Sequence, residues 1–391
     1  MVLQLFRTSK SEAVEAKASA AASVVAFQGA GRPAWSSRDS ETLTRVGFLR
    51  NPVVFRCVKL IAEAASAIPM VVQDEERRYD QHPSLELFKA PNPLQAGHAL
   101  LECFYGHLLL TGDAYLEAAG TAGSGGPREL YALRSDRMRV ISGEDGWPVA
   151  YEYVLGAKKH RFNMRQDRPP ILHVRTFHPQ DDHYGLSPIL AAAGAIDVHN
   201  SASTWSKALL DNAARPSGAI VYKGADGQGS LASDQYSRLI DELETYHQGA
   251  RNAGRPMLLE GGLDWKQMGF SPSDMEFHTT KAAAARDIAL AFGVPPMLLG
   301  LPGDNTYANY QEAHRAFYRL TVLPLVSKTL ASISAWFGFY YSDPIELKVD
   351  FDNVPALAEE RENLWRRIGA AEFLSDAEKR QMLGLPKHKE D

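Results

Sequence analysis

Three histidines and two aspartates fall close together in this chain: His173, His178, Asp181, Asp182 and His183. Imidazole and carboxylate together ligate transition metals, so a metal-dependent hydrolase would keep its ion here. The local pattern argues against that use. His173 lies in the alternating run ILHVRTF, whose period of two sends neighbouring side chains to opposite faces, and DDHYG has the composition of a polar turn. The Gly-rich stretches GADGQGS and GARNAGR lack the lysine and following hydroxyl of a phosphate-binding loop. No G-x-S-x-G elbow, H-E-x-x-H pair or dinucleotide fingerprint occurs. Cys57 and Cys103 have no metal-ligand spacing and sit in apolar helical stretches, as buried free thiols do, which fits a reducing cytoplasm. The residues therefore describe a chain with no catalytic centre, no cofactor and no metal, and a hydrolase built on His173 to His183 is the alternative. Any work done through such a chain must draw its energy from another one.

What would position a site is the stretch Thr279 to Gly338. An Ala-rich run, KAAAARDIALAFG, places Ala282, Ala285, Ile288, Ala289 and Phe292 at helical spacing. Small residues leave a slim rod able to pack closely against copies of itself, with Ala282, Ala285 and Ala289 as the packing positions. Pro295 and Pro296 end the rod. A turn follows, favoured by Pro302, Gly303, Asp304 and Asn305, with Thr306 and Tyr307 after it, and Asn309 with Glu312 resembles a helix-opening capping box. In the next long helix, Pro324 predicts a kink or break near Leu320.

The rest of the chain organises around that stretch. Residues 1–40 read as a flexible arm whose apolar patch, Val24 to Phe27, is too short for a signal-peptide core. Asn51 and Pro52 open a helix, and Asn92 with Pro93 start another that ends at Gly112. Alternating runs AYLEAA, ELYALR, MRVISG, VAYEYVL and ILHVRTF predict half-buried strands. Ser187 and Pro188 begin a long helix reaching toward Ala214, and a small module follows that reads strand, Gly-rich loop, helix, loop, strand, turn and strand, its second strand in GRPMLLEGG. IELKVDFD predicts a returning strand, and Ser375 with Glu378 a second capping box. With 391 residues, 45% hydrophobic and 23% charged, the chain can build more than one core, and no run of about twenty consecutive apolar residues occurs. Its net charge of -5 argues against tight gripping of phosphates, while leaving room for a duplex that must slide.

The blocks IALAFGVPPMLLG and TYANYQEAHRAFYRLTVLPL, with YGLSPILAAAGAIDVHNSASTWSKALLDNAARPSGAIV and GRPMLLEGGLDWKQMGF upstream, resemble the HK97-type phage portal proteins in sequence and in order from about Val46 to Tyr340. The resemblance implies a predominantly helical α+β portal fold. It divides into an arm (1–40), wing (41–186), first stem helix (187–214), clip (215–271), second stem helix (272–293), a segment 294–352 and a short crown (353–391). That segment holds the tunnel loop, the kinked helix and the returning wing strand. It also implies a ring of twelve copies at one capsid vertex, through which double-stranded DNA is packaged and ejected. In such a ring Pro302, Gly303, Asp304, Asn305, Thr306, Tyr307 and Asn309 form the DNA-facing tunnel loop. Implied partners are the major capsid protein, the terminase large subunit and a head-tail adaptor, with no membrane. The implied location is a virion or phage-like particle assembled in the bacterial cytoplasm, and the compact, Ala-rich chain also resembles portals of gene transfer agents.

Overall fold

A computed structural model of the chain describes residues 40–74, 77–79, 81–121, 125–211, 218–222, 233–247, 263–267, 277–301, 307–342 and 345–386. They divide into two compact units. The smaller holds the described residues between Lys207 and Met275, and the larger holds those up to Ser206 and from Glu276 onward.

The larger unit opens with α1 (Ser40–Leu43), a π-helical turn, and α2 (Pro52–Ser66). Asn51 caps α2 as its sequence predicts: its Oδ1 accepts from the N–H groups of Val53 and Val54 at 3.0 and 3.1 Å. Next come β1 (Met70–Gln73), β2 (Arg78–Tyr79), α3 (Pro83–Lys89) and α4 (Gly97–Thr111). The start of α4 differs from expectation. Asn92 spends its side chain on a turn, accepting from the Leu94 N–H and donating to the Leu130 carbonyl at 2.8 Å, so the helix begins only at Gly97.

Six strands follow: β3 (Asp113–Thr121), β4 (Pro127–Leu133), β5 (Met138–Ser142), β6 (Pro148–Leu155), β7 (Lys158–Asn163) and β8 (Ile171–Arg175). They make two antiparallel sheets, β4-β3-β8 and β5-β6-β7. Tyr115, Met138, Tyr151, Phe162 and Ile171 form a small core of their own there. The chain then enters α5 (Pro188–Ala191) and α6 (Ala193–Asp211), which starts in the larger unit and runs into the smaller. The long helix expected from Ser187 is thus broken once, at Ala192, and residues 212–214 lie outside the described residues.

Within the smaller unit, β9 (Gly218–Tyr222) pairs antiparallel with β10 (Leu263–Gln267), and α7 (Ser233–His247) lies between them in sequence. The described residues of the segment 215–271 fall inside this unit. The expected strand in GRPMLLEGG lies outside the described residues.

The chain returns through α8 (Phe277–Phe292), α9 (Tyr307–Phe317) and α10 (Leu323–Phe337). Pro324 acts as its chemistry dictates. It has no N–H for the Leu320 carbonyl and its ring crowds that group, and the backbone absorbs the conflict as a π-helical turn over Tyr318–Val322. By length and composition alone the stretch Asn309–Phe337 would cross a membrane. Here Phe317, Val322, Val326, Leu330, Ile333 and Phe337 are buried in the main core. β11 (Glu346–Val349) then pairs antiparallel with β1, giving the sheet β11-β1-β2. The returning strand is where the alternation puts it. Last come α11 (Ala358–Gly369) and α12 (Asp376–Leu383), the latter opened by the expected Ser375–Glu378 capping box.

Candidate functional site

A buried polar cluster of the larger unit lies where the sheets hand the chain to the long helices. Gly112 ends α4 with φ of 86°, a conformation that favours glycine, and its backbone touches Gly185; a Cβ on Gly185 would come within 2.0 Å of the Gly112 carbonyl oxygen. Two chain segments cross here with no room for side chains. The Gly112 carbonyl accepts the Thr176 N–H at 2.9 Å, while the Thr176 hydroxyl donates to the Leu186 carbonyl at 2.7 Å.

Asp113 sits at the centre, 5% exposed. Its Oδ1 accepts from His173 Nε2 at 2.8 Å and from the Gly185 N–H at 2.9 Å. With Nε2 donating, His173 Nδ1 accepts from the Tyr151 hydroxyl at 3.2 Å, and the ring stacks on Tyr115 with centroids 4.2 Å apart. Burial pushes the Tyr151 phenol up to about 12 and raises that of Tyr115 further, with Asp113 adding to it. Both phenols stay neutral. Below this cluster Ser187 accepts the Ile189 N–H and donates to the Leu109 carbonyl, each at 3.0 Å, fixing the first turn of α5 to the end of α4. The arrangement ties β3 and β8 to the segment that enters α5. It clamps the direction in which the helices leave the sheet.

That commitment answers the metal reading. His173 is used up by Asp113 and Tyr151; Asp181 closes a turn by accepting from the N–H groups of His183 and Tyr184 at 2.8 and 2.9 Å, bonds that hold its carboxyl below the usual range. His178 accepts the Gln180 N–H, and His183 Nε2 meets the Ser142 hydroxyl at 3.0 Å. Asp182 and His183 line a cavity of about 570 Å³ together with His173, Tyr151 and Arg175. Among the described residues no group of three or more His, Cys, Asp or Glu could hold a metal ion. The two thiols, too, are free, and burial pushes Cys57 up to about 12.

Of the other positions marked in the sequence, Pro302, Gly303, Asp304, Asn305 and Thr306 lie outside the described residues. Tyr307 and Asn309 belong to the first turns of α9 rather than to a loop, and the capping box expected at Asn309 gives way to a helix that has already begun; Glu312 pairs instead with Arg315 at 3.0 Å. The stem alanines need a correction of partner. Ala285 and Ala289 are 2% and 0% exposed within the single chain, and Ala282 is half-buried. α8 packs on α2 and α5 of its own chain, so the close approach that these small residues permit is made there first. The face left open carries Ala283, Arg286, Asp287 and Leu290, the last 78% exposed.

One tie escaped the sequence reading. Asn51, while capping α2, also directs its amide to His199 Nδ1 at 3.1 Å and Asn200 Oδ1 at 3.0 Å, and Asn200 donates to the Val46 carbonyl at 3.1 Å. The N-terminal end of α2 is thereby pinned to α6. A cap residue that is 1% exposed has to serve more than one helix, yet exposure is not written in a local motif.

Known proteins supply the comparison. The family described as phage portal protein matches residues 52–384. A chain in the structure "Neck of empty GTA particle computed with C6 symmetry" is 66% identical, with TM-score 0.71, covering 91% of this chain and 96% of that one. A chain in "Neck of native GTA particle computed with C12 symmetry" is 64% identical, with TM-score 0.69, covering 92% and 97%. The portal protein of Enterobacteria phage HK97 is 24% identical over 297 residues, 74% of this chain and 67% of that protein.

Proposed function

Because the chain belongs to the phage portal protein family, we propose that twelve copies close into a ring at one vertex of a virion-like particle and that double-stranded DNA passes through it. The observation that carries the reading is the match over residues 52–384 together with the 64% identity to a chain in a C12 neck. A head-to-tail contact closes a ring when its rotation divides a full turn, and twelve-fold symmetry in a relative covering 92% of this chain supports that number here. In this reading residues 41–186 with the returning strand β11 make the wing, 187–214 and 272–293 the stem, 215–271 the clip and 353–391 the crown. The major capsid protein, the terminase large subunit and a head-tail adaptor are the partners, and the chain catalyses nothing itself.

The clamp around Asp113 gives the reading a physical basis. A ring subjected to packaging forces needs each subunit's helices to leave the wing at one angle, and the buried bonds that Asp113 accepts from His173 and Gly185 tie the sheet to the segment entering α5. The acidic net charge suits a passage that DNA must not adhere to.

Native mass measurement of the purified chain under assembling conditions tests the ring: a dodecamer is expected, and a strict monomer or dimer at every concentration refutes it. The tunnel-loop assignment, Pro302 to Asn309, is tested separately. Asp304→Lys with Thr306→Lys adds positive charge from every copy, and each phosphate neutralised steepens the salt dependence of DNA binding by about one unit on the log scale. Slower DNA passage with intact rings is expected. Unaltered packaging and retention at low salt would remove this loop from the DNA path.

A further inference from the structure

The outer face of the sheet β5-β6-β7 carries positive charge that the chain itself does not neutralise. Arg139 stands opposite Glu152 and Glu152 opposite Arg161, so the three share one row and one face of the ladder. The alternation turns Met138, Tyr151 and Phe162 to the other face, where they form the small core. Lys159, two residues from Arg161 and so on the same face, pairs with Glu152 at 3.1 Å. Three cations thus surround one carboxylate, and that carboxylate is engaged by Lys159. Arg139 and Arg161 are exposed and, among the described residues, have no ion-pair partner. The next carboxylates along the chain, Glu144 and Asp145, lie in the β5–β6 turn at the far end of the ladder, where Asp145 accepts the Trp147 N–H.

A face of this kind attracts a polyanion. An acidic protein surface and a nucleic-acid backbone both answer that description, and two features favour the backbone. Protein partners are held by apolar or aromatic anchors at the centre of the contact, whereas the apolar members of this face, Ile141 and Val154, are half-buried between charged neighbours. Arg139 and Arg161, two strands apart, stand about 10 Å from each other by strand spacing, which lies within the roughly 6–12 Å widths of the duplex grooves that phosphates border. The guanidinium fork also matches phosphate geometry. Strand addition is not the mode of contact, because the edge strand β7 reads KKHRFN and such charges block pairing. We propose that the outer face of β5-β6-β7 binds the phosphate backbone of double-stranded DNA without regard to base sequence, as a contact additional to the proposed tunnel loop. This rests on the reading that DNA is what the ring handles, and the chain's net charge of -5 keeps the contact weak and salt-sensitive.

The test is binding of a fluorescently labelled duplex of mixed sequence to the full-length chain across a salt series, wild type against an Arg139→Gln, Arg161→Gln double variant. Each phosphate contact contributes about one unit to the slope of log affinity on log salt, so the variant should lose about two units of slope and bind more weakly at low salt. Both side chains are exposed, and far-UV circular dichroism checks that the fold is kept. The control is Arg56→Gln with Lys59→Gln, which removes the same charge from the exposed side of α2 and should keep the wild-type slope. An unchanged slope in the Arg139, Arg161 variant overturns the proposal, as does a slope lost equally by the control, since net charge alone would then be the cause. Poly-glutamate bound by the wild type and lost by the variant, with duplex binding unaltered, would make the partner an acidic protein and overturns it too. Native mass read on the same samples keeps the two readings apart: a monomer that binds DNA through Arg139 and Arg161 refutes the ring alone, and intact rings whose slope ignores both arginines refute this contact alone.

Discussion

Replacing Asp113 by alanine should be the most damaging single change at the wing-to-helix junction. The substitution leaves two buried donors, His173 Nε2–H and the Gly185 N–H, with no acceptor. Each orphaned donor costs about 1–3 kcal/mol, and removal of a buried carboxylate gives part of that back, so a net loss of about 2–4 kcal/mol is expected. Asp113→Asn is the informative control. It keeps an acceptor oxygen at the same place and weakens the two bonds without deleting them, which should cost less than about 1.5 kcal/mol. Urea unfolding of the unassembled chain, followed by far-UV circular dichroism, measures both, and the denaturant slope should not change between them. An alanine variant within about 0.5 kcal/mol of wild type would show that water serves Gly185 and His173 equally well. An asparagine variant as damaged as the alanine one would assign the effect to charge and not to hydrogen bonding. Either result refutes the clamp.

Leucine at Ala289 must displace neighbours within the chain's own core and should destabilise even the monomer by about 1–3 kcal/mol, whereas Ala283→Leu on the open face of α8 should stay within about 0.5 kcal/mol; paired melting curves below the assembling concentration check both. Stability should fall as the solution is acidified below about pH 6.5, where an unfolded histidine takes up its proton. Burial, with Lys281 adding to it, lowers the His199 pKa in the fold, and burial lowers that of His107. The unfolded chain therefore binds more protons in that window, the stability is complete above the unfolded pKa, and it is lost as pH falls toward the folded values. Unfolding midpoints at pH 7.5 and 5.5 should differ less in a His199→Asn variant. The carboxyl of Asp352 is desolvated, which raises its pKa, but bonds from Arg361 and Trp365 outweigh that and hold it low. Trp365 fluorescence should accordingly stay constant until pH falls below the ordinary carboxylate range, about 4; an earlier change would mean that the bond to Asp352 does not hold the indole in solution. The exposed pairs of Arg315 with Glu359 and Arg319 with Glu360 should matter little, under about 1 kcal/mol each on glutamine substitution, by the same unfolding assay.

Local chemistry was legible where one residue decides its own backbone. Asn51 before Pro52, Ser375 before Glu378 and the missing N–H of Pro324 each act over four residues, and the structure places a cap, a capping box and a π-turn accordingly. It failed where two local outcomes compete for one side chain: Asn92 chose a turn over a helix cap, and Asn309 lies inside a helix that Tyr307 had already begun. It was silent where partners meet only through topology. Asp113 and His173 are 60 residues apart and come together because the β3–β8 register sets Tyr115 opposite His173 and Asp113 opposite Arg175. The alanines of α8 expose a different limit. Smallness predicts a close neighbour without saying whose, and one chain claims Ala285 and Ala289 for itself. What remains for a neighbouring copy on that helix is the stripe through Ala283, Arg286, Asp287 and Leu290. In the proposed ring such faces would meet a neighbour, whereas the bonds around Asp113 lie wholly within one chain. Those bonds fix the entry to α5 within a single chain, so closure of the proposed ring would only have to match faces that are already aimed.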